Sequence, residues 1–238
     1  MIYFLIPMYN EEGNLELLHK NLSTAVQNED CFYVFVDDNS SDNSVKMVEG
    51  LFASENLKVI TKETNHGPGH SFNLGFDYIL EQANSDDTVV TLEADNTSDL
   101  SILPVMLMNR KMGFSLVLAS VYAQGGGFSK TSFFRVLLSF VANMFLRMMF
   151  DIKVLTLSSF YRVYSVGQLQ KIKTQYGTII REAGFICMVE ILIKAIKTEA
   201  TVIEVPMKLR SDNRVGKSKM KIVKTIRAYI KFLLGTRL

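Results

Sequence analysis

Between residues 2 and 120 the chain repeats one pattern. A short apolar run gives way to a polar cluster, and an amphipathic segment follows. The apolar runs fall at 2–6, 32–36, 57–61, 88–92 and 114–120. Runs this short, apolar on both faces and rich in β-branched and aromatic residues, fit buried parallel strands. The segments at 15–26, 43–53, 71–82 and 99–112 fit helices, with Asn10 or Asn14 placed to cap the first and Asp42 the second. Such alternation predicts an α/β fold with a mostly parallel sheet flanked by helices. Ligands of such sheets bind beyond the carboxyl ends of the strands. The polar clusters at 7–11, 37–42, 65–69 and 93–96 all fall there.

The fourth run ends in Glu93-Ala94-Asp95. Side chains alternate along a strand, so Glu93 and Asp95 point the same way. Two carboxylates so placed repel unless a cation sits between them, and a hard divalent ion holding a diphosphate would satisfy them. The plain alternative is a polar loop start with two solvated acids.

At 238 residues the chain is long enough for a sizeable core. Cys31 and Cys187 lie far apart in apolar surroundings and read as buried free thiols. The first residues lack a basic start and read as a strand rather than a signal segment. The net charge of +2 conceals an asymmetry: residues 1–120 hold 6 Lys/Arg and 18 Asp/Glu, residues 121–238 hold 20 and 6. A basic second half calls for an anionic partner, although part of it must neutralise the first.

That half opens with a flexible joint at 124–127. Residues 133–150 then read as an apolar helix broken by Arg135, Asn143 and Arg147. Its longest charge-free stretch, 136–146, is 11 residues, against ~20 for a membrane span, so an interfacial helix is expected. Residues 156–164 read as a strand carrying Arg162, 183–197 as a helix carrying Glu190, and 201–206 as a last strand. A basic loop follows at 210–219. A basic amphipathic helix at 219–234 could lie on an anionic membrane surface. Nucleic acid is disfavoured, because no aromatics interleave with the basic run.

The ordered set Pro7-Met8-Tyr9-Asn10-Glu11-Glu12, Val36-Asp37-Asp38-Asn39-Ser40-Ser41-Asp42, Asn65-His66-Gly67-Pro68-Gly69 and Glu93-Ala94-Asp95 resembles family 2 glycosyltransferases of the GT-A fold. Arg135, Ser159 to Tyr164, Glu190, Val205-Pro206 and Arg214 to Lys219 extend the resemblance to the dolichyl-phosphate mannosyltransferase branch, which includes polyprenyl-phosphate sugar transferases. The resemblance implies a nucleotide-sugar half at 1–123 and an acceptor half with interfacial helices at 124–238, within one structural domain. It implies that Pro7, Tyr9, Glu11, Asp37, Asp38, Gly67, Ala94 and Ser218 bind the donor. It implies that Glu93 and Asp95 hold Mg²⁺ or Mn²⁺, and that Asp95, Arg135, Arg162, Arg214 and Lys219 are catalytic, the basic residues by binding phosphate and, for Arg162, by orienting the acceptor.

Three positions depart from the family: Glu93 for Asp, Thr156 for Asp and Val121 for Arg. Glu reaches about 1.5 Å further than Asp, one methylene, which shifts the metal or its preference. Without an acid at 156 the obvious base for a hydroxyl acceptor is missing, although Asp95, Glu190 or Asp212 could substitute. The expected activity is inverting transfer from a nucleotide-sugar to a polyprenyl phosphate, by a protein peripheral to the cytoplasmic membrane face, alone or with a separate membrane subunit. The alternatives are a hydroxyl acceptor in surface-polysaccharide assembly, or a catalytically weakened nucleotide-sugar binder.

Overall fold

The computed structural model describes residues 1–27, 29–131, 133–216, 225, 227–229 and 231–232, with 133–135 and 138 as backbone only. The first half runs β1 (Ile2–Met8), α1 (Glu12–Ala25), β2 (Cys31–Asp37), α2 (Ser44–Leu51), β3 (Asn56–Thr61), α3 (Pro68–Leu80), β4 (Thr88–Thr91), α4 (Leu103–Lys111) and β5 (Leu116–Ser120). The second runs β6 (Gly127–Ser129), α5 (Phe133–Phe150), β7 (Arg162–Ser165), α6 (Val166–Tyr176), α7 (Cys187–Lys197), β8 (Val202–Pro206) and β9 (Lys208–Arg210).

Among the described residues seven strands form one sheet, in the order β3-β2-β1-β4-β7-β5-β8. All neighbours are parallel except the two pairs made by β7. β6 and β9 form a separate parallel ribbon. β7 comes from the second half yet lies between β4 and β5, so the halves interleave in one sheet.

Alternate residues of β1 serve opposite cores. Tyr3 and Leu5 join Phe72, Phe76, Leu169 and Ile191 beneath α3, α6 and α7. Phe4 and Ile6 join Leu15, Leu18, Val48 and Leu103 beneath α1, α2 and α4. Burying one such side chain is worth about 1.5–3 kcal/mol. Apolar residues on both faces are what the unbroken apolar runs require.

The expected strand at 156–164 is confined to Arg162–Ser165. Upstream backbone groups are taken by side chains instead of a ladder. Glu204 accepts from the Leu155 and Thr156 N–H at 2.8 and 2.9 Å. Asn143 accepts from Leu157 N–H at 3.0 Å and donates to the Leu155 carbonyl. Arg162 donates to the carbonyls of Leu157 and Ser159, both at 2.7 Å. The expected helix at 99–112 divides into a short 3₁₀ turn, Leu100–Ile102, capped by Asp99, and then α4, with Pro104 in its first turn. Helix α6 is an element the periodicity reading assigns nowhere. Its ends carry ordinary signals: Ser165 accepts from Gln168 N–H, and Gly177 ends it at φ 75°.

Helix α5 has the expected bounds. Of the helix expected at 219–234, residues 225, 227–229 and 231–232 are helical, and the segment with Lys219 lies outside the described residues. Phe232 is buried against Phe150, 6.1 Å between ring centroids, while Arg227 and Lys231 are exposed.

Candidate active site

Parallel pairing aligns the strand ends. Pro7 and Met8 of β1 lie opposite Val36 and Asp37 of β2, and Asp38 N–H donates to the Met8 carbonyl at 2.9 Å. On the other side of β1, Leu5 lies opposite Thr91, two residues before Glu93. Pro7, Tyr9, Asp37, Asp38, Glu93 and Asp95 therefore follow one sheet edge. Pro7 and Tyr9 are half-buried there.

The two acids after β2 do different work. Asp37 accepts from Ser40 Oγ at 2.5 Å and Ser40 N–H at 3.0 Å, shaping its own turn. Asp38 accepts from the N–H of His66 and Gly67 at 2.9 and 2.8 Å and pairs with buried Lys62 at 2.5 Å. It clamps the turn before α3 to the end of β2. Gly67 sits at φ 92°, and a Cβ there would lie 2.8 Å from the Ala183 carbonyl, so both conformation and space demand glycine. Asp42 accepts from Ser44 N–H and Oγ at 3.0 and 2.6 Å, doing a cap's work one residue ahead of the α2 cap position.

At the end of β4, Ala94 is buried in the α1/α2/α4 core, so its backbone is what faces the site. Asp95 is buried. Its Oδ1 accepts from Thr97 N–H and Oγ at 3.0 and 2.7 Å. Its Oδ2 accepts from Arg214 Nε at 2.7 Å and also from Nη2. Burial pushes the Glu93 carboxyl up to about 8; the negative charges of Asp95 and Glu11 add to this, and Arg214 opposes it. Burial disfavours the Arg214 charge, but Asp95, Glu93 and Glu11 outweigh it and raise its pKa. Three carboxylates thus gather around the Arg214 guanidinium, a local surplus of acids over that one cation.

That surplus bears on the metal. Among the described residues no three Asp, Glu, His or Cys side chains form a ready cage. Glu93 and Asp95 supply hard oxygens, and phosphates and water would complete the coordination. Mg²⁺-like ions are commonly held by one or two carboxylates plus substrate phosphates. The residues fit such an ion.

The remaining expected site residues are dispersed. Arg162 is fully buried and donates to the carbonyls of Leu157 and Ser159 and to Tyr164 Oη at 3.2 Å. It is a scaffold for the loop before β7. Arg135 lies on α5, its side chain outside the described part, and Ser218 and Lys219 lie outside the described residues. Glu190 is a structural acid. It pairs with Lys194 at 2.6 Å and accepts from Arg181 and Glu182 N–H at 2.8–3.0 Å. Lys62 and Thr97 went unnamed in the sequence reading. Lys62 had a usable signal, a lone cation directly after the third apolar run.

The fold and site have relatives. A structure of glucosyl-3-phosphoglycerate synthase from Mycobacterium tuberculosis, in complex with Mn²⁺, UDP-glucose and phosphoglyceric acid, superposes with a TM-score of 0.69, covering 100% of this chain and 81% of that one at 14% identity. This likeness supports the GT-A fold. A dolichol-phosphate mannosyltransferase of Pyrococcus furiosus is 30% identical over 233 residues, 96% of this chain; the chain spans 61% of that relative's length. A polyprenol monophosphomannose synthase of Mycolicibacterium smegmatis is 26% identical over 91% of this chain and 79% of its own. The family model for glycosyl transferase family 2 matches residues 3–172. A matched span that includes β1 to β5, the strand-end acids and the carboxylate pair makes this chain a member of glycosyl transferase family 2.

Proposed function

We propose that this chain is an inverting transferase that moves a sugar from a nucleotide-sugar to a polyprenyl phosphate. The observation that carries the reading is the Glu93–Asp95 pair with Arg214 beside it, at the switch edge of a family 2 fold. Relatives named for dolichol- and polyprenol-phosphate transfer support the acceptor class.

In this reading Pro7, Tyr9, Glu11, Asp37, Asp38 and Gly67 border the nucleoside, and the Ala94 backbone and Ser218 approach the diphosphate. Glu93 and Asp95 hold Mg²⁺ or Mn²⁺, which when bound offsets charge growing on the leaving diphosphate. Arg214 adds positive charge at the same place, with Arg135 and Lys219 as further phosphate contacts. Arg162 acts through the loop it fixes. Residues 1–123 serve the donor, and 124–238 serve the acceptor while lending Arg214 and Ser218 to the donor diphosphate.

A phosphate nucleophile is anionic at neutral pH and needs no base. Glu93 is taken by the metal in this reading, and the other candidate bases for a hydroxyl are engaged elsewhere. Asp95 is held by Arg214 and Thr97, Glu190 by Lys194, Asp212 by Lys130 at 3.3 Å, and Glu204 by two backbone N–H groups. Thr156 is buried against Ser120, 2.7 Å between hydroxyls. This favours a phosphate over a hydroxyl acceptor.

A lipid acceptor requires a membrane-facing surface. On α5, Leu137, Phe140, Val141, Met144, Phe145, Met148 and Met149 are all exposed, at 44–76%. Their three- and four-residue spacing makes one apolar stripe along a helix ~27 Å long. No described helix is long and apolar enough to cross a membrane. The stripe and the basic second half suit peripheral contact with an anionic bilayer at its cytoplasmic face.

The test is a radiolabelled donor panel with polyprenyl phosphate, with and without Mn²⁺. Metal-dependent label in the lipid phase supports the reading; transfer only to soluble glycan sinks it, and tight nucleotide binding without turnover favours the weakened-binder alternative. Flotation with anionic vesicles, lost in Phe140→Glu/Phe145→Glu, checks the surface. Failure of the wild type to float on its own would point to a separate membrane subunit.

A further inference from the structure

Arg214 reaches Asp95 from a loop that has little packing of its own. Val215 is 62% exposed, and Gly216 turns at φ 92°. Among the described residues, a buried side chain from near the start of the sequence holds the Val215 end of this loop. Asn14, in the first turn of α1, is 2% exposed. Its Oδ1 accepts from Val215 N–H at 2.8 Å, and its Nδ2 donates to the Val215 carbonyl at 3.2 Å and to Glu11 Oε2 at 2.6 Å. Its own carbonyl accepts from Asn96 Nδ2 at 2.8 Å. One residue thus ties together α1, the segment after the carboxylate pair, and the Arg214 loop.

The chemistry of that junction selects asparagine. Val215 presents a donor and an acceptor side by side, and a primary amide answers both. An aspartate keeps the acceptor, loses both donors and sets a second carboxylate beside Glu11. An alanine answers neither. Contact at the same crossing is close: a Cβ on Gly13 would lie 3.0 Å from Val215 Cγ1. The loop's upstream end is anchored independently, by Arg210 on Asp99 at 3.0 Å and by Arg210 N–H on the Thr97 carbonyl at 2.9 Å. Loss of Asn14 would therefore free the stretch that carries Arg214 without releasing the whole segment.

We propose that Asn14 is a positioning residue, which holds the Arg214 loop in register over the Glu93–Asp95 pair. This rests on the functional reading above, since register matters only if Arg214 meets a phosphate there. Asn14 itself touches neither donor nor acceptor in this role.

The test uses the full chain carrying Asn14→Ala, with Asn14→Asp as an isosteric second variant that opens no cavity. Amide exchange at Val215 is followed by mass spectrometry, beside donor-nucleotide affinity and kcat. In Asn14→Ala, exchange at Val215 should rise roughly tenfold, the effect of losing about one hydrogen bond, and in Asn14→Asp, which keeps the acceptor, it should rise less. The rate constant kcat should fall roughly tenfold or more, as expected when a charge-stabilising group is misplaced by about 1 Å, and nucleotide affinity should fall by a smaller factor than kcat. Unchanged Val215 exchange in both variants overturns the strap. Faster exchange with unchanged kcat overturns the positioning role. If the wild type transfers no sugar to any acceptor, the functional reading fails, and the exchange measurement still decides whether Asn14 holds the loop.

Discussion

The buried pair Glu190–Lys194 permits a sharp prediction, because its charges are almost wholly removed from water. The Glu190 side chain is 2% exposed and that of Lys194 is 0% exposed, with 2.6 Å between them. Glu190 also accepts from the N–H groups of Arg181 and Glu182, and Lys194 also donates to the carbonyls of Thr178 and Ile179 at 3.1 and 2.9 Å. Glu190→Leu removes the counter-charge and orphans two backbone donors together. Breaking a buried pair from one side costs about 3–5 kcal/mol. The orphaned N–H groups push toward the upper end, so a loss of ~4 kcal/mol is expected. For a chain of this size that corresponds to a Tm drop of roughly 8–16 °C. Lys194→Met should cost less, because the carboxylate keeps its two backbone donors. The chain has no tryptophan, so urea unfolding is followed by circular dichroism at 222 nm. A loss under ~1 kcal/mol for Glu190→Leu, within the range of ordinary surface substitutions, would refute the assignment of Glu190 as a structural acid.

Other outcomes follow from single residues. Gly69→Ala would place a Cβ 1.9 Å from the Glu182 carbonyl and 2.8 Å from Cys187 Cβ, so it should unfold well below wild type. Gly50→Ala, on α2 with open space around it, should add about 0.5–1 kcal/mol. Burial pushes the Cys31 thiol up to about 11 and the Cys187 thiol higher still. An aromatic disulfide reagent at pH 8 should therefore label neither in the native state and both in urea. Glu93 must lose a proton to ligate a cation, and burial beside Asp95 pushes its carboxyl up to about 8. Apparent Mn²⁺ affinity should therefore rise roughly tenfold per pH unit up to that value and then level off; a flat profile from pH 6 to 9 would contradict it.

The sheet and the strand-end clusters were legible because buried parallel strands write themselves as unbroken apolar runs with polar ends. What escaped was written in long-range side-chain hydrogen bonds. The segment 156–161 has the composition of a strand, but Glu204 and Asn143 take its first backbone N–H groups from 48 and 14 positions away, and no local pattern announces partners that distant. Arg162 was read as an acceptor contact from its motif, whereas in the fold it is fully buried and donates to the loop before β7 and to Tyr164. Asn14 was visible only as a helix cap, because Val215 is 201 positions away in sequence.

The proposed function stands or falls on whether Glu93 and Asp95 hold a divalent ion that a nucleoside diphosphate helps to coordinate. Electron paramagnetic resonance of Mn²⁺ tests it directly, on wild type and on Asp95→Asn, with and without a panel of nucleoside diphosphates. The account predicts a bound Mn²⁺ signal that strengthens with one nucleoside diphosphate in the wild type and is lost in Asp95→Asn. Equal nucleotide-dependent Mn²⁺ binding by Asp95→Asn would contradict it.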